Sequence, residues 1–239
     1  MSNALVLNAS PRGRQSNSQV LAGAFCRGMT AAGVEVRTLF LTDYTVEPCR
    51  GCLSCWGPTP KQCVIHDDMA YLRKEMGHAE YLILAFPLYV DSMPGPLKTF
   101  FDRSIADGEP WFEQDSEGET RHVEALKAPK LVILSNCGYP EQSHFEAVRF
   151  LFQRIARNFH TDVVAEVYKS QGGILGSSNQ ELQSVKATYL DRVAAAGRAL
   201  VENGGIPEEL QRTLAEPFLP KDQYIAAVTR SFQALQRQV

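Results

Sequence analysis

The chain has 239 residues, 44% hydrophobic and 21% charged, with a formal net charge of -3 and six cysteines. That length suits one large domain or a domain with an appendage, with an apolar core that needs no disulfide staples. Lys and Arg are scattered without a basic stripe, which argues against a nucleic-acid partner. No run approaches the roughly 20 apolar residues that span a bilayer, and the opening MSNALVLNAS lacks the pattern of a secretory signal. A cytosolic protein is therefore expected, with reduced thiols and no membrane partner, so clustered cysteines point to metal or redox chemistry.

Taken in chain order, apolar runs of strand length fall at Ala4–Asn8, Val34–Leu41, Tyr81–Phe86, Lys130–Asn136 and Asp162–Tyr168. Most are nearly continuous in apolar residues, the mark of strands covered on both faces. Helical patterns lie between and after them, at Ser18–Ala32, Asp67–Gly77, Pro94–Ala106, Phe145–Asn158 and Gln180–Asn203. Strands alternating with helices predict a doubly wound α/β fold with a parallel sheet. Pro94 is read as a first-turn proline, and Gly204-Gly205 as a helix stop. Residues 107–129 are polar and acidic, a surface insertion. Residues 1–205 form the predicted domain, and 206–239 add two short amphipathic patterns as a C-terminal helical extension.

Ligands of such sheets bind beyond the carboxyl ends of the strands. After the first strand comes NASPRGRQSNSQVL, with Ser10, Arg12, Arg14, Ser16, Asn17 and Ser18 ahead of a helix N-terminus. Hydroxyls, free amides and the positive end of the helix dipole make an anion cradle, with Arg12 supplying charge. A plain cap by Ser16 or Ser18 is the simpler alternative. There is no GxGxxG and no GxxxxGK[ST], which excludes the dinucleotide and triphosphate loops; GGILG at 172–176 has the wrong spacing and is read as a loop. After the third strand, Pro87, Leu88, Tyr89 and Val90 can lay backbone and an aromatic edge along a flat heterocycle, or simply make a turn. After the fourth, Asn136, Cys137, Gly138 and Tyr139 do the same, with Gly138 open to close approach and the Cys137 thiol read as a small buried apolar group.

The stretch CRGCLSCWGPTPKQC holds Cys49, Cys52, Cys55 and Cys63. Four thiolates so spaced can reach one centre, as iron-sulfur clusters require. Zinc is the rival, although its four-cysteine sites usually come as two separated pairs, and empty thiols are the third possibility. Gly51 eases the turn, and Pro58 and Pro60 stiffen the longer gap. Asp67 and Asp68 precede a helix, where capping and dipole roles are the default. His66 is read as a solvated loop residue, and Trp56 either shields the cysteine site or packs on a neighbouring subunit.

ASPRGRQSNS, then PCRGCLSC with CVIHDDM, then FPLYVDSMPGPLKTFFDR, in that order, resemble the flavodoxin-like NAD(P)H-dependent FMN reductase family, and most closely its iron-sulfur flavoprotein branch. Similarity runs from about Asn3 to about Gly176, and PKDQYIAAV resembles the tail of the same branch. The resemblance implies a flavodoxin-like five-stranded sheet in the order 2-1-3-4-5. It implies FMN, with its phosphate on Ser10, Arg12, Asn17 and Ser18 and its ring on the loops at 87–90 and 136–139. Ser16 departs from the family, where glycine is common at that position. The branch also implies a [4Fe-4S] cluster on Cys49, Cys52, Cys55 and Cys63, with the final gap at its long limit.

The implied activity is electron transfer between NAD(P)H or a redox partner and an acceptor such as a quinone or a protein, with the flavin carrying the chemistry and no dedicated catalytic residue. The alternatives are a cluster-free NAD(P)H:quinone or FMN reductase, and a non-enzymatic electron carrier or redox sensor. Family members are typically dimers or tetramers, and the tail from Ile206 is the expected contact.

Overall fold

The five apolar runs become the five strands of one parallel sheet. The computed structural model describes residues 2–123 and 127–237. Its sheet strands are β1 (Asn3–Asn8), β2 (Glu35–Phe40), β3 (Tyr81–Pro87), β6 (Lys130–Asn136) and β7 (Val163–Lys169), in the order β2-β1-β3-β6-β7. This is the expected 2-1-3-4-5 sequence, with every sheet pairing parallel. The central register aligns Val6 with Thr38 on one side and Ile83 on the other, and Ile83 with Val132. Parallel pairing needs a crossover between neighbours, and the crossovers are α1 (Asn17–Ala31), α2 (Met69–Gly77), α3 (Gly95–Arg103) and α4 (Glu146–Asn158).

Alternate residues of each strand face opposite layers. Val6, Ile83 and Val132 pack with Leu21 and Phe25 of α1 and with Val193 and Leu200 of α5 (Gln183–Asn203). Leu5, Leu7, Leu82 and Leu84 face the other layer, against Leu72, Met76, Phe100 and Phe152. Both faces are therefore covered, which is why the strands read as continuous apolar runs.

Several boundaries differ from expectation for local reasons. Pro94 is the extended N-cap of α3 and Pro96 is the proline of its first turn; α3 ends at Arg103 and a 3-10 turn takes over to Asp107. Residues 180–182 form a separate 3-10 turn ahead of α5, which closes on Gly204 in the left-handed region as expected. The 107–129 insertion contains a short hairpin, β4 (Phe112–Gln114) and β5 (Thr120–His122). Its tip is closed by Asp115, whose carboxylate accepts the amides of Glu117 and Glu119, and is clamped to α4 by Arg157 on Asp115 and Arg154 on Glu119. Residues 124–126 of the insertion and 238–239 of the tail lie outside the described residues. No described helix is long and apolar enough to cross a membrane.

The C-terminal extension comprises α6 (Glu208–Ala215) and α7 (Lys221–Gln236). Its first part joins the core through Leu214, Phe218 and Tyr224. Gln171 is fully buried at the end of β7; its side-chain oxygen accepts the amides of Phe218 and Leu219, and its amide donates to Leu219 O at 2.8 Å. Lys169 donates to the Glu216 carbonyl, with its ammonium 3.8 Å from the Phe218 ring centroid and 4.4 Å from that of Tyr189.

The ring faces and the carbonyl favour that charge, but burial outweighs them and lowers Lys169 to about 8 from its ordinary 10.5. Between those values the unfolded chain holds more protons than the folded one, so stability rises with pH across the window and is lost again as pH falls towards 8. Relative to Lys169→Met, the wild-type protein should gain up to about 3 kcal/mol between pH 8 and pH 10 in urea titrations. A gap that does not change with pH would show that the ammonium is solvated.

Candidate functional site

Three loops converge at the carboxyl edge of the sheet, one each from β1, β3 and β6. Asn8, at the end of β1, shapes the first loop: its side-chain oxygen accepts the Ser10 amide and its nitrogen donates to Gln19 Oε1, both at 3.0 Å. Ser16 is the N-cap of α1, its hydroxyl accepting from Gln19 N at 3.0 Å and donating to Gly13 O at 2.7 Å. The Ser16 side chain thus does the capping. Ser18 does not cap; its buried hydroxyl accepts from the Asn136 side chain of the third loop at 2.9 Å. The amides of Asn17 and Ser18 begin the helix, where no preceding turn offers them carbonyls.

The two arginines of the loop have different positions. Arg14 forms a fork to Asp43 at 3.1 and 2.8 Å and lies 4.4 Å from the Phe40 ring centroid. Hydrogen bonding to Asp43 raises the Arg14 pKa and holds the carboxyl below its usual range. Arg12 is exposed and has no ion pair among the described residues. The loop therefore offers hydroxyls, two helix amides and one available cation to an anion at the end of β1.

The second and third loops are laced together. Leu88 N donates to Asn136 O at 2.8 Å. Tyr89 and Ser92 exchange backbone hydrogen bonds around Val90 and Asp91, with φ of 49° and 51°. Such left-handed pairs suit a tight hairpin but are unfavourable for a β-branched residue, and Val90 sits there fully exposed. Asp91 holds His144 at 2.9 Å, and His144 stacks on Tyr139 with ring centroids 3.8 Å apart. Tyr89 and Tyr139 are each about half exposed beside the crevice. Pro87 ends β3. Gly138 is exposed with open space above it, and its carbonyl accepts the Tyr224 hydroxyl of α7 at 2.7 Å. Cys137 is buried, and burial pushes its thiol up to about 11, the behaviour of a packing group.

GGILG, read as a plain loop, is a 3-10 turn that closes the site. A Cβ on Gly176 would fall 2.4 Å from Asn17 Oδ1, and one on Gly172 2.8 Å from Asn136 Oδ1. Only the missing side chains let this turn press against both residues. Its composition signalled a turn but not its location.

The cysteine loop leaves the end of β2 and returns at α2. Cys49, Cys52, Cys55 and Cys63 line one cavity of about 40 Å³ together with Arg103, Ile65 and Ile105. Gly51 takes φ 64° as the turn requires, and Leu53 and Lys61 are also left-handed. The long gap is a folded turn, with Thr59 N on Ser54 O and Lys61 N on Cys55 O. Cys49 and Cys52 are exposed and Cys55 is buried. The Ser54 hydroxyl lowers the Cys52 thiol; burial, then the charges of Cys63, Cys49 and Cys52, raise that of Cys55. Among the described residues no three Cys, His, Asp or Glu side chains are close enough to bind a single metal ion.

Asp67 and Asp68 do more than cap. Asp67 accepts Met69 N at 3.1 Å, as a cap would, but it also accepts Glu47 N and forms a buried ion pair with Arg103 at 2.7 Å. Burial alone would raise its carboxyl, yet the Arg103 hydrogen bonds bring it below the usual range. Asp68 is the N-cap of α2 by position only, its side chain reaching back to Thr45 N at 2.7 Å. His66 is exposed, as expected. The Trp56 indole donates to Ile105 O and Gly108 O at 3.0 Å and its ring lies 4.6 Å from that of His122, so it packs on the insertion of its own chain. An apolar cavity of about 310 Å³ lies beneath it, lined by Met76, Phe101 and Phe159 near the amino ends of the strands, away from the three-loop crevice.

Residues 2–121 match the NADPH-dependent FMN reductase family. The chain belongs to that family. Among individual relatives it is 35% identical over 99 residues to an iron-sulfur flavoprotein of Methanosarcina thermophila, covering 41% of this chain and 50% of that one. It is 29% identical over 136 residues to an iron-sulfur flavoprotein of Archaeoglobus fulgidus, covering 56% of this chain and 54% of that one. The match thus spans about half the length of these relatives. The fold is shared with an NAD(P)H:quinone oxidoreductase of Methanothermobacter marburgensis, at TM-score 0.59 and 19% identity over 84% of this chain and 96% of that one. It is also shared with an FMN-dependent NADH-azoreductase of Bacillus anthracis solved with FMN, at TM-score 0.59 and 15% identity over 84% and 100%.

The geometry separates the two arginines of the first loop. Arg12→Ala should weaken FMN binding by about 10- to 100-fold, the loss of one charge-assisted phosphate contact, while Arg14→Ala should change it far less. Titrating flavin fluorescence against each variant reads both, and equal losses would refute the assignment.

Proposed function

We propose that this reductase-family chain is an FMN-dependent oxidoreductase that moves electrons from NAD(P)H to an acceptor such as a quinone or a protein. The observation that carries the reading is the anion loop at the end of β1, with uncommitted Arg12 and helix amides, directly beside the two laced loops. Ser10, Arg12, Asn17 and Ser18 hold the phosphate, and the Ser16 cap fixes the amides that face it. Backbone from Pro87 to Val90 and from Asn136 to Tyr139 orients the ring, with Tyr89 and Tyr139 at its margins. Bound FMN accepts a hydride as two electrons and can release them singly, so the protein's part is binding, orientation and tuning of potential. The relatives' names, an NAD(P)H:quinone oxidoreductase and an NADH-azoreductase among them, support a nicotinamide donor.

The four cysteines are proposed to hold a [4Fe-4S] cluster. Their shared cavity and similarity to proteins named iron-sulfur flavoproteins support this reading. The donor set fits: four soft thiolates with a buried guanidinium beside them suit a cluster that carries one electron at a time. Their separation also disfavours a single zinc ion, which draws its ligands within bonding distance of one atom. A cluster-free reductase is the second reading, favoured by the exposure of Cys49 and Cys52 and the small cavity.

Anaerobic purification followed by an absorption spectrum and iron, sulfide, zinc and flavin assays should find flavin, with iron matching sulfide. Flavin without iron selects the cluster-free reductase, and no flavin uptake after adding FMN refutes the function.

The extension is further proposed to join subunits. Beyond Tyr224, α7 exposes Ile225, Phe232 and Leu235 at helical spacing, an apolar stripe suited to a second copy. Phe232→Asp should lower the sedimentation mass of the wild-type oligomer; a wild-type protein that already sediments as a monomer would exclude this contact.

A further inference from the structure

A guanidinium carries five N–H donors, and on Arg103 four have partners. Nη1 donates to Asp67 Oδ2 and to Glu47 O, both at 2.7 Å. Nη2 donates to Asp67 Oδ1 at 3.0 Å and to Ile65 O at 3.5 Å. The fifth, on Nε, is buried with no partner among the described residues, on a side chain only 1% exposed. A buried donor left without an acceptor costs about 1–3 kcal/mol, more when charged, and such exceptions in folded proteins are few. Protein groups already occupy the rest of this side chain, which leaves Nε for an acceptor in the cysteine cavity that Arg103 lines, where Cys63 is its sulfur neighbour.

Arg103 lines the cavity formed by the four cysteines. Its guanidinium is held by the two-point ion pair to Asp67. An arginine guanidinium stays protonated in proteins, so the cation is permanent, and its neighbours in the cavity are sulfurs. The same side chain grips the backbone before the first cysteine at Glu47 and after the last at Ile65, so it fixes where both arms of the loop stand. Arg50 also lines the cavity, but it is solvent-exposed.

We infer that Arg103 Nε donates a charge-assisted hydrogen bond to a sulfur of the iron-sulfur centre held by Cys49, Cys52, Cys55 and Cys63. The inference rests on the cluster reading above. Hydrogen bonds to cluster sulfurs are one of the protein's means of setting potential. A buried cationic donor stabilises the reduced, more negative state, so Arg103 raises the midpoint potential. It is a positioning residue, acting on the centre and the loop and not on substrate.

The test uses the full-length wild-type protein, labelled with 15N-arginine, loaded with iron and sulfide under anaerobic conditions and then reduced. Electron-nuclear double resonance should detect a 15N coupling to the reduced centre. In Arg103→Lys, which keeps the charge but lacks the fork, that coupling should vanish and the midpoint potential in a redox titration should shift to more negative values. If that variant does not fold, a folded Arg50→Lys protein decides: a 15N coupling that persists in it belongs to Arg103, and one that vanishes overturns the inference. A loaded wild-type protein without arginine coupling, or a folded Arg103→Lys protein with unchanged potential, overturns the inference and leaves the cluster standing. A wild-type protein that takes up no iron overturns the cluster reading and this inference with it.

Discussion

Parallel strands covered on both faces leave polar chemistry one place to go, the ends of the strands. In this chain β1 lies between β2 and β3, with Leu5, Leu7 and Val6 buried in opposite layers. Asn8 is therefore delivered, fully buried, to the carboxyl edge, where its amide organises both the Ser10 turn and Gln19 of α1. The crevice depends on that placement. β3 and β6, paired in register through Pro87 and Asn136, bring their loops to the same height, and Asn136 ties β6 to the β3 loop through Leu88 and to the start of α1 through Ser18.

A second constraint governs the cysteine segment. The loop has little apolar packing of its own, and an unsupported stretch of this length would not hold four thiols together. The buried Asp67–Arg103 pair supplies the support, joining the loop's exit, its entrance at Glu47 and the end of α3. Breaking one partner of such a pair typically costs about 3–5 kcal/mol, because the other is left charged and buried. The geometry of the thiols thus hangs on a helix whose amino end borders the three-loop crevice, so one element links the two candidate sites.

Much of this was legible in the sequence because burial on two faces writes strands as unbroken apolar runs, and glycine and proline mark where they stop. The strands themselves, the polar loop after β1 and the cysteine spacing were read from residues standing close together, while the strand order came from the family resemblance. What escaped involves partners distant in the chain or signals too short. Nothing local in LKTFFDR tells that Arg103 meets Asp67, 36 positions earlier. Three-residue strands of mixed polarity, FEQ and TRH, carry no period to detect. GGILG looked like a turn, and only the fold reveals that its glycines lie against Asn17 and Asn136. Ser16 and Ser18 could not be told apart until the helix start was placed, one capping and one buried against Asn136. The tail's tie to Gly138 through Tyr224 was equally hidden.

The central claim is that the β1 loop of this chain recognises a flavin by its phosphate. The most direct measurement compares the dissociation constants of the wild-type protein for FMN and for riboflavin, which differ by that phosphate alone. Binding of FMN at least 100-fold tighter, with the difference narrowing as salt rises, is the result the geometry predicts. Equal affinities would place the flavin elsewhere and contradict the account.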